Sequence, residues 1–360
     1  MTTRWTTVVP GTGAVLVAAL ALAGCGVLPA EPEPLPTPTA TVEAPVREDR
    51  HTPPRPDVPV VWPLTGVPTD RVADRPAISV KVENSAAARP QRGLNDADIV
   101  WEQLVEGGIT RFVATYHSRL PDAVEPVRSV RPMDPAIVAP LGGVLAFSGG
   151  QAAFIAAVQR YGTQTLINDD GDPGFVRDPS RPVPHNVIGD VRTFAVQADG
   201  GRTSPPPPQF TYARTRGDGT ATARGTRART VDVRFSPAQR TVWTWDAAAR
   251  RYLRSEGTVP SVAADGARHR ARNVVVLETE VFLTSFRDPA GARVPEHRLG
   301  GRSGRGTLLS GGRAVPVRWS KKDHRSPVVL RTKDGTEALL EPGTTWIELV
   351  PRGSGSWTVG

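Results

Sequence analysis

Two arginines and a serine stand within four residues at Arg128, Ser129 and Arg131, between Pro126 and Pro132. A guanidinium keeps its charge at physiological pH and offers forked N–H groups that match a carboxylate or phosphate in pairs. Two forks and a hydroxyl on a proline-stiffened segment make a candidate anion clamp, since stiffness lowers the entropy lost on binding. Ordinary ion pairing competes with that use: Arg131 could face Asp134, and Arg128 could face Glu125 or a carboxylate of the 102–106 segment. Asp134 followed by Pro135 has the make-up of a helix start, with the aspartate as cap and the proline in the first turn.

Three more groups could join the clamp. Ser148-Gly149-Gly150 separates the apolar run VLAF from the helix-like AAFIAAVQR, and backbone N–H groups at such a turn attract anions. No Lys-Ser or Lys-Thr follows, which excludes a nucleotide P-loop. His185-Asn186 closes a proline-rich loop bearing Arg177, Asp178 and Arg181, where a histidine can serve as general acid or base. Glu102 and Glu106 share one face of a strand and could pair with Arg111 or act as an acid/base couple. Asn168-Asp169-Asp170-Gly171-Asp172 misses the spacing of a calcium loop, so neither a metal nor a cofactor is expected. The glycine-rich GGRSGRG (300–306) reads as a mobile basic loop. Trp243, Trp245, Trp319 and Trp346 read as core of a β domain in preference to a sugar-stacking platform.

The elements that position these residues alternate over 63–200. AISVKVE, DIVWEQLVE, ITRFVATYH and VLAFS read as strands, and PAIVAPLG and QAAFIAAVQRYG as helices. The four prolines of the 201–208 linker stop any regular element. From 209 to 360, FTYAR, TVDVRF, TVWTWD, RRYLRS, NVVVLETEVFL, AVPVRWS and TTWIELV are rich in Val, Thr and aromatics, with a hairpin expected over TVWTWDAAARRYLRS. The expected fold is an α/β N-terminal domain with a mixed sheet, followed by a smaller β-rich C-terminal domain.

The first 24 residues set the address. Arg4, the apolar run from Gly13, and Leu22-Ala23-Gly24-Cys25 have the order of a lipoprotein signal peptide, too short for a membrane span. Cys25 is the one cysteine of the chain, so no disulfide or Cys-based metal site can form. An acylated Cys25 would hold the protein on the extracytoplasmic face of the cell membrane. Residues 25–62, rich in Pro, Thr and Glu, form a tether that could reach ~100 Å at ~3.1 Å per residue. Forty of the 44 basic residues are arginine, which matches the codon bias of a GC-rich bacterium, and the net charge is +8. Such a body suits anionic envelope polymers; nucleic acid fits the charge but not the address.

At PLTGVPTD (63–70), RPAISVKVENSAAARPQRGLNDADIVWEQLVEGGITRF (75–112), VRSVRPMD (127–134) and RPVPHN (181–186), the chain resembles the YerB-like bacterial lipoproteins, a two-part family of unknown function. RWSKKD (318–323) and LLEPGTTWIELV (339–350) resemble its closing strands more weakly. The resemblance implies an anchored extracytoplasmic protein with an α/β part and a β part, and no established reaction. Family members often carry a His and an Asp before the strand NVVVLETEVFL; here Asp265 and His269 are the residues that could stand in.

The expected function is binding of an anionic or peptidoglycan-derived envelope component through Arg128, Ser129, Arg131, Ser148, Gly149, Gly150, Arg177, His185 and Asn186. One alternative is a hydrolase or transferase acting on such a polymer, with His185 as acid/base beside Glu102 and Glu106. The other is a scaffold for envelope proteins. Absence of G-x-S-x-G, S-x-x-K and H-E-x-x-H arrangements favours binding.

Overall fold

The alternating sequence ISVKVE forms strand β1 (Ile78–Glu83), yet all six residues are buried. The alternation therefore sorts side chains between two covered faces. Ile78, Val80 and Val82 enter one core, while Ser79, Lys81 and Glu83 point to the opposite side. The computed structural model describes Val58–Gly360 as one unit. The expected signal peptide, Cys25 and the tether up to residue 57 lie outside the described residues. Among the described residues no helix is long and apolar enough to cross a membrane.

β1 pairs antiparallel with β3 (Thr110–Tyr116), which pairs antiparallel with β2 (Ile99–Leu104). Gly107 and Gly108 close the β2–β3 turn with φ of 71° and 73°, where a side chain would be strained. On its other edge β1 runs parallel to β4 (Val144–Phe147), and β4 parallel to β5 (Gln164–Ile167) across helix α2 (Ala152–Arg160). Helix α1 (Asp134–Val138) precedes β4. A small hairpin of β6 (Phe175–Arg177) and β7 (Val187–Gly189) carries the His185 loop, and α3 (Val191–Val196) follows, capped by Asp190.

Beyond the prolines come α4 (Thr220–Arg224), β8 (Thr226–Arg227), β9 (Thr230–Arg234), β10 (Arg240–Asp246), β11 (Arg251–Glu256), β12 (Val259–Pro260) and β13 (Arg270–Ala271). Then come the long β14 (Asn273–Arg287), β15 (Arg293–Arg298), β16 (Arg302–Ser310), β17 (Arg313–Lys321), β18 (Val329–Arg331), β19 (Thr345–Pro351) and β20 (Ser356–Val359). An antiparallel sheet runs β12-β11-β10-β9-β20, with β13 on β11. The expected hairpin is β10–β11.

The larger sheet runs β18-β17-β16-β14-β19-β2-β3-β1-β4-β5 and mixes both pairing senses. β19 lies parallel to β2 on one side and to β14 on the other, so one sheet joins the segments before and after residues 201–208. Helices α1 and α2 cover one face around Ile137, Leu145, Phe154 and Val158. The smaller sheet and α3 cover the other around Phe112, Phe194, Trp243, Tyr252 and Trp346. The architecture is an α/β part with a mixed sheet followed by a β-rich part.

Two local expectations are corrected. FTYAR is not a strand: Tyr212 makes a single bridge to Leu340, and its hydroxyl donates to the carbonyl of Leu64. GGRSGRG is not a mobile loop, because Arg302 onward is β16, held between β14 and β17. Its glycines serve close packing: a Cβ at Gly304 would lie 2.6 Å from Trp319 Nε1, and one at Gly306 2.5 Å from the Val276 carbonyl oxygen. Trp243, Trp319 and Trp346 are buried and Trp245 is half-buried, as expected of core aromatics.

Candidate functional site

β4 covers β1 only as far as Val80, leaving the carboxyl end of β1 open on that edge. The segment Glu125–Arg131 fills the gap. Glu83 N donates to Pro126 O at 2.9 Å and Arg128 N to Lys81 O at 2.8 Å. Ser148 N then donates to Arg128 O at 3.1 Å and Val130 N to Gly149 O at 3.0 Å. The Arg-Ser-Val-Arg segment and the Ser-Gly-Gly turn thus meet at the carboxyl ends of two parallel strands, where α/β sheets place ligands.

Arg131 Nε donates to Glu106 at 2.8 Å, not to Asp134. Asp134 is the first helical residue and not the cap, a place taken by Met133. Its carboxylate accepts Lys81 Nζ at 2.7 Å, Gln103 Nε2 at 2.6 Å and Arg131 N at 2.7 Å, all buried. Burial pulls the Lys81 ammonium down to about 8 even so. Arg128 keeps about a quarter of its side chain exposed and meets Glu83 through Nε at 3.3 Å, neither Glu125 nor the β2 carboxylates.

Arg111 sits opposite both Glu83 and Gln103 in the sheet and is buried. Its Nη1 donates to Ser129 O at 3.1 Å, and its Nε has no partner. Burial, then the charge of Arg131, lowers its pKa. Three guanidinium groups therefore gather round two carboxylates.

His185 joins them from the β6–β7 loop, its Nδ1 2.9 Å from Glu83 Oε2. Ser85 Oγ donates to the other oxygen of Glu83 at 2.9 Å. Glu83 is thus the hub of the site, though sequence spacing gave no hint of it. Asn186 is buried and accepts Arg177 Nη1 at 2.9 Å, which makes that pair a brace of the loop. Beside it the buried Glu125 lies 3.3 Å from Arg92 and 3.5 Å from Arg181, and burial raises its pKa.

The glycine turn is tightly packed against its neighbours, and Glu102 lies outside the site. Gly149 has φ 107°, and a Cβ there would lie 2.1 Å from Asp169 Oδ2; at Gly150 it would lie 2.5 Å from Val130 Cγ1. Packing requires glycine at both positions of that turn. Glu102 points through the sheet to its other face, away from Glu106. There it accepts Arg254 Nη2 at 2.7 Å and Thr110 Oγ1 at 2.6 Å. Glu348 sits directly beside it on β19 and accepts Trp243 Nε1 at 2.7 Å. Burial and then the Glu102 charge push the Glu348 pKa well above the usual carboxylate range. Burial opposes the Arg254 charge, but Glu102, Glu256 and Glu348 together outweigh it and raise its pKa. His269 lies buried near this cluster, its Nδ1 2.9 Å from Ser261 Oγ, and burial takes its pKa down to about 3. Asp265 is exposed and accepts Ala267 N at 3.0 Å; no hydrogen bond joins it to His269.

A mixed-sheet α/β body joined to a β-rich part, with an arginine-lined site at its strand ends, defines the class of protein. The chain belongs to the DUF3048 family of proteins of unknown function: its N-terminal domain description matches residues 64–204 and its C-terminal one residues 231–347. The chain is 28% identical over 296 residues to a Bacillus subtilis (strain 168) protein named "Putative lipoprotein YerB", covering 80% of this chain and 86% of that one. It also resembles the crystal structure of YerB from Bacillus subtilis, with a TM-score of 0.70 and 25% identity over 83% of this chain and 99% of that one.

Proposed function

We propose that this chain is a lipoprotein anchored through Cys25 on the extracytoplasmic face of a bacterial membrane, where it binds an anionic or peptidoglycan-derived envelope component without catalysis. One observation carries the reading. Arg111, Arg128 and Arg131 gather round Glu83 and Glu106, and the Arg128 side chain, its Nε 3.3 Å from Glu83, makes no hydrogen bond among the described residues. Its Nη groups, beside Ser129 and His185, remain for a carboxylate or phosphate of the ligand. The resemblance to a protein named as a lipoprotein supports the anchor, and an attachment of two or more acyl chains would hold stably.

A catalytic reading is favoured by the Glu83–His185 contact alone. Ser85 bonds to the carboxylate and not to the imidazole, so the order needed to activate a serine is absent. A scaffold reading draws on Phe282, Leu283 and Phe286, which are exposed on the β14–β15 hairpin.

Thermal-shift screening against muropeptides, teichoic and arabinogalactan fragments and phospholipid headgroups tests the proposal. A ligand at 100 times its dissociation constant adds ~2.7 kcal/mol. The gain should vanish in Arg128→Gln and shrink in His185→Ala; a gain that both variants keep would place the ligand elsewhere.

A further inference from the structure

At the opposite ends of β2 and β3 from the Arg128 site lies a cleft of about 300 Å³, edged by Trp62. Among the described residues five arginines line it, Arg119, Arg216, Arg251, Arg270 and Arg272, against two carboxylates, Asp96 and Asp98. Neither aspartate serves the inner arginines. Asp96 pairs with Arg119 at 3.2 Å, and Asp98 accepts His117 N at 2.7 Å, Ser118 N at 2.8 Å and the Ser118 hydroxyl.

The charges acting on Arg251 are those of Arg270, Arg216 and Arg119, all of its own sign, and they add to burial in lowering its pKa. Asp246, its partner in the β10–β11 register, spends its carboxylate on Ala248 N and Ala249 N at the turn. Arg272 is buried. Its Nη1 donates to Arg250 O at 2.7 Å, and its Nε is buried without a partner. Thr344 Oγ1 and Asn95 Oδ1, both from residues lining the cleft, are also buried and unpartnered.

The arrangement is held in place and not left to chance. Glu341 accepts Gly217 N and Gly219 N, each at 3.0 Å, and so fixes the turn that carries Arg216. Gly343, at φ 146°, lets the backbone close on Arg272, since a Cβ there would lie 2.7 Å from Arg272 Cβ. The buried Glu341 carboxylate is the one counter-charge that acts on Arg272, and it does not offset burial together with Arg251 and Arg216, so like charges still oppose folding, which is the expected signature of a site completed by a ligand.

We propose that this cleft is a second anion site, separate from the Arg128 site, and that it takes a ligand bearing two or three linked phosphoryl groups. The lining has an excess of three positive charges, of which Glu341 behind it offsets one, and its volume exceeds what a single phosphate would fill. Guanidinium forks at several angles suit a chain of tetrahedral phosphoryl groups, each carrying charge on several oxygens.

The test is calorimetric titration of the full chain in non-ionic detergent with pyrophosphate and tripolyphosphate, at constant ionic strength. Citrate provides a carboxylate arm and glycerol 3-phosphate a lipid-headgroup arm. Saturable one-to-one binding of tripolyphosphate is expected, at least tenfold tighter than citrate or glycerol 3-phosphate. Arg251→Gln should weaken it at least tenfold and the exposed Arg270→Gln several-fold, with unliganded melting temperature not lowered in Arg270→Gln. Running every arm in the Arg128→Gln background as well removes the other proposed anion site, so that binding lost with Arg251 or Arg270 reports on the cleft alone. Citrate binding equally well would overturn the phosphoryl class. Equal binding of glycerol 3-phosphate would overturn the need for linked phosphoryl groups. No saturable binding, or binding that survives Arg251→Gln combined with Arg270→Gln, would overturn the site itself.

Discussion

Glu102 and Glu83 are carboxylates on neighbouring parts of one sheet, each touched by an arginine, yet they stand in opposite circumstances. Glu102 faces the smaller sheet, where Arg254 reaches it from β11 and is itself covered by the rings of Phe112 and Trp346 at 5.2 Å and 5.6 Å. Glu102, Glu348 and Arg254 are buried and Glu256 is half-buried, and burial beside Glu102 raises the Glu348 pKa. Glu83 faces the other way, toward Arg128 and His185, whose side chains remain about a fifth exposed. The same residue types thus make a sealed structural cluster on one face and an accessible, positively unbalanced one on the other. What separates them is whether each charge is already answered inside the protein.

Breaking the sealed cluster should have the largest effect. Arg254→Met leaves Glu102 and Glu256 without their buried cation and should destabilise the fold by ~3–5 kcal/mol, read from urea midpoints. A loss under ~1 kcal/mol would show that the cluster does not hold the two sheets together.

Acid should find the same region next. His269 binds its proton only near pH 3 when folded, against 6.5 as the ordinary value. Between those values the unfolded chain takes up a proton that the folded chain refuses. The stabilisation is therefore complete above pH 6.5 and is lost as pH falls through that window. The slope is about 1.4 kcal/mol per pH unit once well below 6.5. Denaturation at pH 7 and pH 5 should register the loss, and His269→Gln should reduce it by the share of one histidine. His297 adds to the fall in the parent: its Nε2 accepts Leu104 N at 3.1 Å, a bond that protonation would break, and burial takes its pKa to about 3.

Gly149→Ala probes the support of the open site. Its φ of 107° and the closeness of Asp169 should cost about 1–2 kcal/mol in the same urea assay. Arg128→Gln should change stability least, by less than ~0.5 kcal/mol, while abolishing ligand-induced stabilisation. If Arg128→Gln instead matched Arg254→Met in cost, the contrast between the two clusters would fail.

Much of the scaffold was legible in local pattern. Period-two alternation marked β1 and β2, Gly107-Gly108 marked the turn, and Asp134-Pro135 marked the start of α1, with the cap displaced by one residue. The site was legible only in part. Arg128, Ser129, Arg131 and the Ser148–Gly150 turn do meet, because consecutive loops at one sheet end must lie side by side. Their partners were not, since Glu83 and His185 stand 102 residues apart, and Glu102 and Arg254 are separated by 152. Nothing in Arg119, Arg216, Arg251, Arg270 and Arg272 distinguished them among forty arginines.

By itself the sequence determined several of the strands and helices, the proline break and the residue types available at their ends. These depend on contacts within a few residues, where backbone geometry and side-chain period act directly. Only the tertiary structure decided which carboxylate answers which arginine. It threads β19 between β2 and β14, so that one sheet sets a sealed cluster on one face and an open one on the other. Charge balance depends on distance in space, and the register of distant strands sets that distance.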